Sequence, residues 1–206
     1  IQQQALRNTI ASYLGTGFGV VSRLLMTIFL SPLQIGVLAL LDSISGSFVV
    51  LFNLGYNQIL IKLFPKYRDP SKGHNGFLVL GLIISIIGIL LGVGLYYLLE
   101  DYITTSKGDE GQALMVYAYL IPILILFRIL YRNFDGYVRM LYNSVIGTLL
   151  DSFFAKLIFF SGMIMLSVTV INFDTLVYIY VLSMSLPGLL ILLYSLKITK
   201  PIVWPK

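Results

Sequence analysis

The chain has 206 residues, of which 58% are hydrophobic and 11% are charged, and its mean hydropathy is +0.91. A soluble domain has about 25% charged residues, so this composition excludes an ordinary soluble fold and indicates an integral membrane protein. The net charge of +5 does not indicate nucleic-acid binding, because the basic residues lie between apolar segments, and the lack of cysteine excludes disulfide frameworks and thiolate metal sites.

Six apolar segments are long enough to cross a bilayer as helices, which takes roughly 20 residues each. Helix is the expected spanning state, because lipid offers no hydrogen-bond partner to open backbone groups. The sequence therefore predicts an all-α membrane protein, with a single six-helix transmembrane bundle over residues 1–206. The six spans are predicted at residues 8–30, 36–63, 76–99, 113–131, 144–171 and 175–196.

Basic residues are distributed unevenly among the segments that precede, connect and follow the spans. Of the 14 basic residues, 11 lie before span one, around the connections between spans two and three and between spans four and five, and after span six. They are Arg7, Lys62, Lys66, Arg68, Lys72, Arg128, Arg132, Arg139, Lys197, Lys200 and Lys206. The other connections hold one cation, Lys107, beside Glu100, Asp101, Asp109 and Glu110. Since positive charge marks the cytoplasmic side, both termini are predicted to be cytoplasmic.

Ionisable residues inside the first two spans are candidate functional residues, because such groups are unfavourable in lipid and usually face a cavity or a partner. Arg23 in span one and Asp42 in span two are predicted about 10 Å and about 9 Å from the ends that the hairpin joins, at 1.5 Å per residue. An ion pair between Arg23 and Asp42 is the leading expectation. The alternative is that Asp42 holds Arg23 ready to bind an anion.

Span five carries two further charges, Asp151 and Lys156. On a regular α-helix, residues five apart point about 140° away from each other, so the two are expected to be poor partners. Lys156 is predicted about 18 Å from the inner end of its span, which makes it a candidate cation for an anionic substrate. Asn53, near a common face with Asp42, completes the candidate cavity residues. Arg128 is predicted to extend toward the lipid headgroups.

Other features of the sequence have structural interpretations. Pro122 and Pro187 are expected to kink spans four and six. The pair Gly15 and Gly19 is expected to allow close helix packing, not to bind a dinucleotide, because it lies inside a span. His74 is expected to be a solvated loop residue. Tyrosines near the outer span ends are expected at the headgroup level: Tyr96, Tyr97, Tyr102, Tyr117, Tyr119, Tyr178 and Tyr180.

Signatures of catalysis are missing from the sequence. One histidine cannot form a HExxH motif, and no Ser/His/Asp set is brought together by spacing. No phosphate-binding glycine loop or cluster of metal ligands is present. The sequence therefore predicts a carrier and not an enzyme, without cofactor or metal.

A series of short motifs occupies the first 80 residues of the chain. They are Phe29-Leu30-Ser31-Pro32 with Ile35-Gly36, Leu54-Gly55-Tyr56-Asn57, Ile61-Lys62-Leu63-Phe64-Pro65-Lys66-Tyr67-Arg68-Asp69, and His74-Asn75-Gly76-Phe77-Leu78. In order and spacing they resemble the polysaccharide flippases, which move O-antigen or other lipid-linked oligosaccharides, of the multidrug/oligosaccharidyl-lipid/polysaccharide exporter superfamily. The later spans resemble this family in hydropathy and loop charge.

The resemblance implies a transporter of twelve to fourteen helices in two six-helix lobes. This chain, which begins at Ile1 and not at Met, would be the N-terminal lobe, and its partner would be a C-terminal lobe or a second copy. The implied substrate is a polyprenyl-pyrophosphate-linked oligosaccharide, flipped across a bacterial inner membrane by alternating access. The protein would also contact membrane lipids, and it would not bind nucleic acid. The charge pattern, and not a family motif, predicts that Arg23 and Lys156 contact the anion and that Asp42 and Asp151 tune these cations or couple an ion.

Three alternatives remain open from the sequence. The first is a multidrug or cation antiporter lobe of the same superfamily, which Asp42 favours and Arg23 disfavours. The second is a non-transporting membrane assembly subunit, in which replacing Arg23 or Lys156 by alanine changes stability but not transport. The third, a membrane-embedded enzyme that modifies glycans, lacks a catalytic set of residues.

Overall fold

The computed structural model of the chain describes residues 2–105, 108–199 and 201–204. The cations Lys107, Lys200 and Lys206 lie outside these residues. Nine α-helices, and no strand, occur in the described ranges. They are α1 (Gln2–Phe29), α2 (Pro32–Phe52), α3 (Tyr56–Tyr67), α4 (Phe77–Thr105), α5 (Gly108–Met115), α6 (Ile121–Met140), α7 (Ser144–Thr148), α8 (Lys156–Ser167) and α9 (Phe173–Ile198). The other helical segments are two 3-10 segments, Pro70–Gly76 and Ala118–Leu120, and one π-helical segment, Leu149–Ala155.

The number of membrane spans agrees with the prediction. Five segments are long and apolar enough to cross a membrane, and there are six if α5 and α6, bent by 71° at their junction, form one broken span. One of the five, Ser144–Ser167, consists of α7, the π segment and α8 joined end to end. The predicted all-α membrane fold is therefore confirmed. The side of the membrane on which each end lies stays a prediction.

The turn between α1 and α2 is stabilised by a capping box. The Ser31 hydroxyl accepts a hydrogen bond from the Gln34 backbone N–H at 3.3 Å, and the Gln34 side chain accepts one from the Ser31 N–H at 2.9 Å. Pro32 follows at the first helical position. A backbone N–H there would have no acceptor within the helix, so its absence in proline costs no hydrogen bond. We call this end of the bundle the hairpin end. The opposite end, where Asn8 Nδ2 donates to Ser144 Oγ at 2.9 Å, is the terminal end.

The second predicted span is shorter than expected, because α2 ends at Phe52. Leu54 and Gly55 follow with φ angles of 49° and 69°, in the left-handed region, so the helix cannot continue through them. A separate amphipathic helix, α3, then begins at Tyr56. The prediction of one continuous helix over residues 36–63 was therefore wrong. α3 buries Tyr56, Leu60 and Phe64 and exposes Lys62 and Lys66.

Neither proline breaks the helix that contains it. Pro122 lies in the first turn of α6, where a missing N–H is tolerated, and the bend of the span comes before it, between Met115 and Ala118. α9 continues as one helix through Pro187, which is buried. The predicted kink at Pro122 was therefore wrong in its position, and the kink at Pro187 stays a prediction.

Several side chains predicted at the surface are buried instead. His74, Tyr96, Tyr117 and Tyr180 are each less than a tenth exposed. The Tyr96 hydroxyl donates to the backbone oxygen of Ala118 at 3.0 Å, which satisfies it away from water. The predicted solvated histidine and part of the predicted headgroup belt were therefore wrong. The tyrosines that are exposed, as predicted, are Tyr97, Tyr102, Tyr119 and Tyr178.

The helix packing separates α1 from α2 beyond their turn. α6 lies at the centre and packs on α9, α4 and α2, whereas α1 packs along α7, the π segment and α8. At Gly15 a Cβ atom would lie 1.4 Å from the Ser152 backbone oxygen, and the Lys156 side-chain stem lies against Gly19. The predicted close packing at Gly15 and Gly19 is confirmed. Because α1 packs against the helices of span five and not against α2, space is left between α1 and α2.

Candidate functional site

Two cavities open between the helices. The larger, of about 780 Å³, lies between α2, α3, α6 and the π segment. The smaller, of about 440 Å³, lies between α1, α2, α8 and α9. Asp42 and Met184 line both cavities, so the two adjoin at these residues. Each cavity has the size of a small-molecule site.

The two cavities lie in series along the bundle. The smaller cavity reaches Thr27 and Ile35, which flank the hairpin end. The larger cavity reaches Met140, the last residue of α6, and Ile61 of α3, toward the terminal end. Together they extend along the bundle from the hairpin end toward the terminal end and adjoin at Asp42 and Met184.

An ion pair between Asp42 and Arg128 lies where the cavities adjoin. Arg128 Nη2 donates to Asp42 Oδ1 at 2.5 Å, while Nη1 donates to Ser45 Oγ at 3.0 Å and to the Asp42 backbone oxygen at 3.1 Å. The side chain of Arg128 is 17% exposed and that of Asp42 is 59% exposed. The predicted role of Arg128 as a headgroup residue was therefore wrong.

The predicted ion pair between Arg23 and Asp42 was also wrong, because Asp42 pairs with Arg128. The sequence argument assumed that helices joined by a short turn stay in contact along their length. In the fold, α2 packs along α6 and meets α1 only weakly. Arg23 and Asp42 nevertheless line the same cavity, as predicted from their matching depth.

The smaller cavity brings together three of the five predicted site residues: Arg23, Asp42 and Lys156. Asp42 is its only acidic lining residue, and that acid is bound to Arg128. Within the described part of the chain, neither Arg23 nor Lys156 forms an ion pair. The smaller cavity is therefore a cationic site.

Asp151 lies in the π segment and lines the larger cavity. Hydrogen bonds in a π-helix join residues five apart, so the angle predicted between Asp151 and Lys156 for a regular α-helix does not apply here. The Asp151 carboxylate interacts electrostatically with Lys156, Arg128 and Arg139. π-helical turns inside α-helices are frequent at functional sites, which supports the choice of this region.

Asn53 lines neither of these two cavities, so its role in ligand binding stays a prediction that they do not support. It caps the end of α2 and is buried, with its side-chain oxygen left without a hydrogen-bond partner. The face that it was predicted to share with Asp42 ends at Phe52, where the helix stops. Asn57, one turn further along in α3, lines the larger cavity instead.

The sequence analysis missed a charged stripe on α6. Arg128, Arg132, Asp135 and Arg139 all line the larger cavity, and Asp135 accepts a hydrogen bond from Arg139 at 2.7 Å. Their spacing of four, three and four residues places them on one helical face. This spacing was the available signal, but Arg132 and Arg139 lie beyond the predicted end of span four and were assigned to the loop, and Asp135 was not considered.

The chemistry that this arrangement supports is anion binding. Guanidinium and ammonium groups in a partly dehydrated cavity bind phosphate oxygens through strong charge-assisted hydrogen bonds. No group of three His, Cys, Asp or Glu side chains among the described residues could hold a metal ion. The smaller cavity presents Arg23 and Lys156 toward a ligand, whereas the larger is lined by three arginines and three aspartates: Arg128, Arg132, Arg139, Asp42, Asp135 and Asp151.

Comparison with known protein families covers almost the whole chain. The family model described as polysaccharide biosynthesis protein matches residues 1–205. No curated protein and no solved structure matches the chain. The family match thus extends well beyond the first 80 residues, where the recognisable motifs lie.

Proposed function

The chain belongs to the polysaccharide biosynthesis protein family, and from this premise we propose that it carries a lipid-linked oligosaccharide across the membrane. The substrate class that we propose is a polyprenyl-pyrophosphate-linked oligosaccharide, moved from the cytoplasmic to the outer leaflet of a bacterial inner membrane. Transport, and not catalysis, is the proposed activity.

The cationic smaller cavity is the observation that carries this proposal. Arg23 and Lys156 face it, and its one acidic residue, Asp42, is bound to Arg128. A diphosphate group supplies several negatively charged oxygens, which such cations bind well. A cavity lined by two cations and one paired carboxylate disfavours a cationic drug, and this favours a carrier of an anionic lipid over the antiporter alternative.

The larger cavity supports passage of the sugar part of the substrate. Its wall combines polar groups of Asn57, Arg132 and Asp135 with apolar side chains such as Leu60 and Ile61. Hydroxyl-rich ligands need such polar partners to replace the water that they lose. The polyprenyl tail would remain in the bilayer, along the apolar outer faces of helices such as α1 and α4.

We further propose that the chain works as the N-terminal lobe of a two-lobe carrier, opposite a C-terminal lobe or a second copy. Alternating access would then rock one lobe against the other. Reading the coding DNA beyond residue 206 tests this: a frame that continues through a second set of spans supports the two-lobe carrier. An immediate stop codon together with a monomeric purified protein would contradict it.

The test of transport uses the native protein that contains this chain, reconstituted in liposomes with a fluorescent lipid-linked oligosaccharide. Arg23→Gln and Lys156→Gln are each expected to reduce the flipping rate about tenfold, a loss of 1.4 kcal/mol. Lys62→Gln, which removes the same charge from exposed α3 outside both cavities, is the control and should flip at the wild-type rate. Unchanged rates in both cavity variants, or wild-type protein that flips no lipid, would refute the proposal.

A further inference from the structure

The boundary between the two cavities is made of few residues. Asp42 and Met184 line both cavities. Arg128 reaches this boundary from the larger cavity, and Tyr180, which is buried, lies beside the Asp42–Arg128 pair from the smaller cavity. The Asp42–Arg128 pair therefore lies at the point where the two cavities adjoin.

The bonds at the boundary hold the arginine more firmly than they hold the carboxylate. One nitrogen of Arg128, Nη1, is bound to the Ser45 hydroxyl and to the Asp42 backbone oxygen, both of which belong to helix α2 itself. The other nitrogen, Nη2, holds the Asp42 carboxylate. The Asp42 carboxylate also contacts the Tyr180 side chain, and the Asp42 side chain is 59% exposed. If the carboxylate turned away, Nη2 would stay directed at the boundary.

The charge around the boundary favours a more strongly charged anion than a carboxylate. Arg23 and Lys156 line the smaller cavity beside Asp42, and Arg128 adds a third cation. Two carboxylates act on these cations: Asp42, which is paired with Arg128, and Asp151, which interacts electrostatically with Lys156 and Arg128. A diphosphate supplies more negative charge and more acceptor oxygens than the Asp42 carboxylate, and guanidinium groups bind phosphate and carboxylate with the same geometry. The protein carboxylate and a diphosphate therefore compete for one site.

We infer that the Asp42 carboxylate is a placeholder for the diphosphate group of the substrate. Without an anion, Asp42 holds Arg128 and closes the boundary between the cavities. A diphosphate takes Nη2 of Arg128, frees Asp42 and opens the boundary, so that binding and passage are coupled. The identity of the anion rests on the proposed function, whereas the competition rests on the observed bonds. Asp42 is thus a positioning residue that opposes anion binding.

Titration of the purified native protein with inorganic pyrophosphate tests this inference. Asp42→Asn is expected to bind pyrophosphate about tenfold more tightly than wild type, because Arg128 loses its competitor. Arg128→Gln is expected to bind about tenfold more weakly, and Asp42→Glu, which keeps the carboxylate, to bind like wild type. A misfolded variant loses binding, so the expected gain cannot arise from misfolding.

Asp151→Asn is the matched control, because it removes the same charge from the cavity wall while leaving the bond from Nη2 to Asp42 in place. Its gain in affinity is expected to stay within about threefold, the effect of general charge alone. With Arg128→Gln in the background, the gain from Asp42→Asn should disappear and that from Asp151→Asn should persist. Equal gains from the two asparagine variants, or an Asp42→Asn gain that survives without Arg128, would overturn the inference.

The pyrophosphate titration is independent of lipid flipping. If wild type and the variants show the expected pyrophosphate affinities but wild type flips no lipid-linked oligosaccharide, the proposed function is refuted. The inference that Asp42 is a placeholder is then supported. Wild-type and Asp42→Asn proteins that both fail to bind pyrophosphate, while wild type still flips lipid, would overturn the placeholder and leave transport standing.

Discussion

At the scale of single residues, the sequence analysis found the charged groups but paired them wrongly. Arg23, Asp42 and Lys156 were chosen because charges inside apolar spans are unfavourable unless they are used, and all three line one cavity. The partner of Asp42 is Arg128, which lies 86 positions away in the chain. Spacing along one helix reports which residues share a face, but it carries no information about which other helix that face meets.

The charge of Lys156, and not its packing, is expected to matter for transport. The Lys156 side-chain stem lies 3.5 Å from the position of a Cβ at Gly19, so its methylene groups help to fill the contact between α1 and α8. Lys156→Met keeps this packing and removes the charge, whereas Lys156→Arg keeps the charge. We expect Lys156→Met to lose about tenfold in flipping rate with an unchanged melting temperature, and Lys156→Arg to stay near wild type.

Melting temperature and flipping rate are measured on the same reconstituted preparations. A Lys156→Met protein that melts earlier and flips at the wild-type rate would favour the assembly-subunit alternative, in which this lysine serves only stability.

At the scale of elements, hydropathy predicted which segments are helical, but it did not predict where the helices end or break. Runs of apolar residues identified every span, because lipid requires the backbone to satisfy its own hydrogen bonds. The stop of α2 at Phe52 depends on Leu54 and Gly55 in left-handed backbone, and the π segment adds an extra residue to one helical turn. Such breaks depend on one or two residues, which hardly change the mean hydropathy of a span, so the hydropathy pattern does not predict them.

The contact between α1 and the π segment is expected to tolerate no side chain at Gly15. A Cβ there would lie 1.4 Å from the Ser152 backbone oxygen, so Gly15→Ala must push the two segments apart. We expect a loss of about 2 kcal/mol in stability, in the range of overpacked cores, and a lower melting temperature. Gly17→Ala is the control, because a Cβ at that position meets no atom within 4 Å. Equal melting temperatures for both variants would show that α1 does not pack here.

The break between α2 and α3 is expected to depend on the backbone of Gly55 and not on space around it. Gly55 has a φ of 69°, yet a Cβ there would meet no atom within 4 Å. Gly55→Ala should therefore cost about 1 kcal/mol through strain alone, measured as a lower melting temperature. Gly94→Ala, also in open space but without a positive φ, should leave stability unchanged or slightly higher. A neutral Gly55→Ala would indicate a continuous helix from α2 into α3.

At the scale of the whole molecule, the lobe is an open bundle with cavities between its helices. α6 is surrounded by α2, α4 and α9; the larger cavity lies between α6, α2, α3 and the π segment, and the smaller lies between α1, α2, α8 and α9. The orientation of this bundle in the membrane follows from loop charge alone and stays a prediction.

The lack of cysteine within the chain allows a direct test of that orientation. Lys72→Cys places a thiol in the exposed 3-10 segment at the terminal end, and Gln112→Cys places one in exposed α5 at the hairpin end. With other cysteines of the native protein replaced, an impermeant thiol reagent added to intact spheroplasts should label Gln112→Cys and spare Lys72→Cys until the membrane is opened. The reverse pattern would show that both ends face the other way.

The sequence by itself determined the membrane class, the all-α fold, the family and the identity of most charged candidates. Each of these depends on composition, apolar length or local motifs, which act along the chain. Only the tertiary structure decided that Asp42 pairs with Arg128, that Asn53 lies outside the cavities and that α6 presents a charged stripe to the larger one. These outcomes depend on which helices pack against each other. Helix packing is determined by close contacts between spans, such as that between Gly15 and Ser152, and the residue pattern of a single span does not predict such contacts.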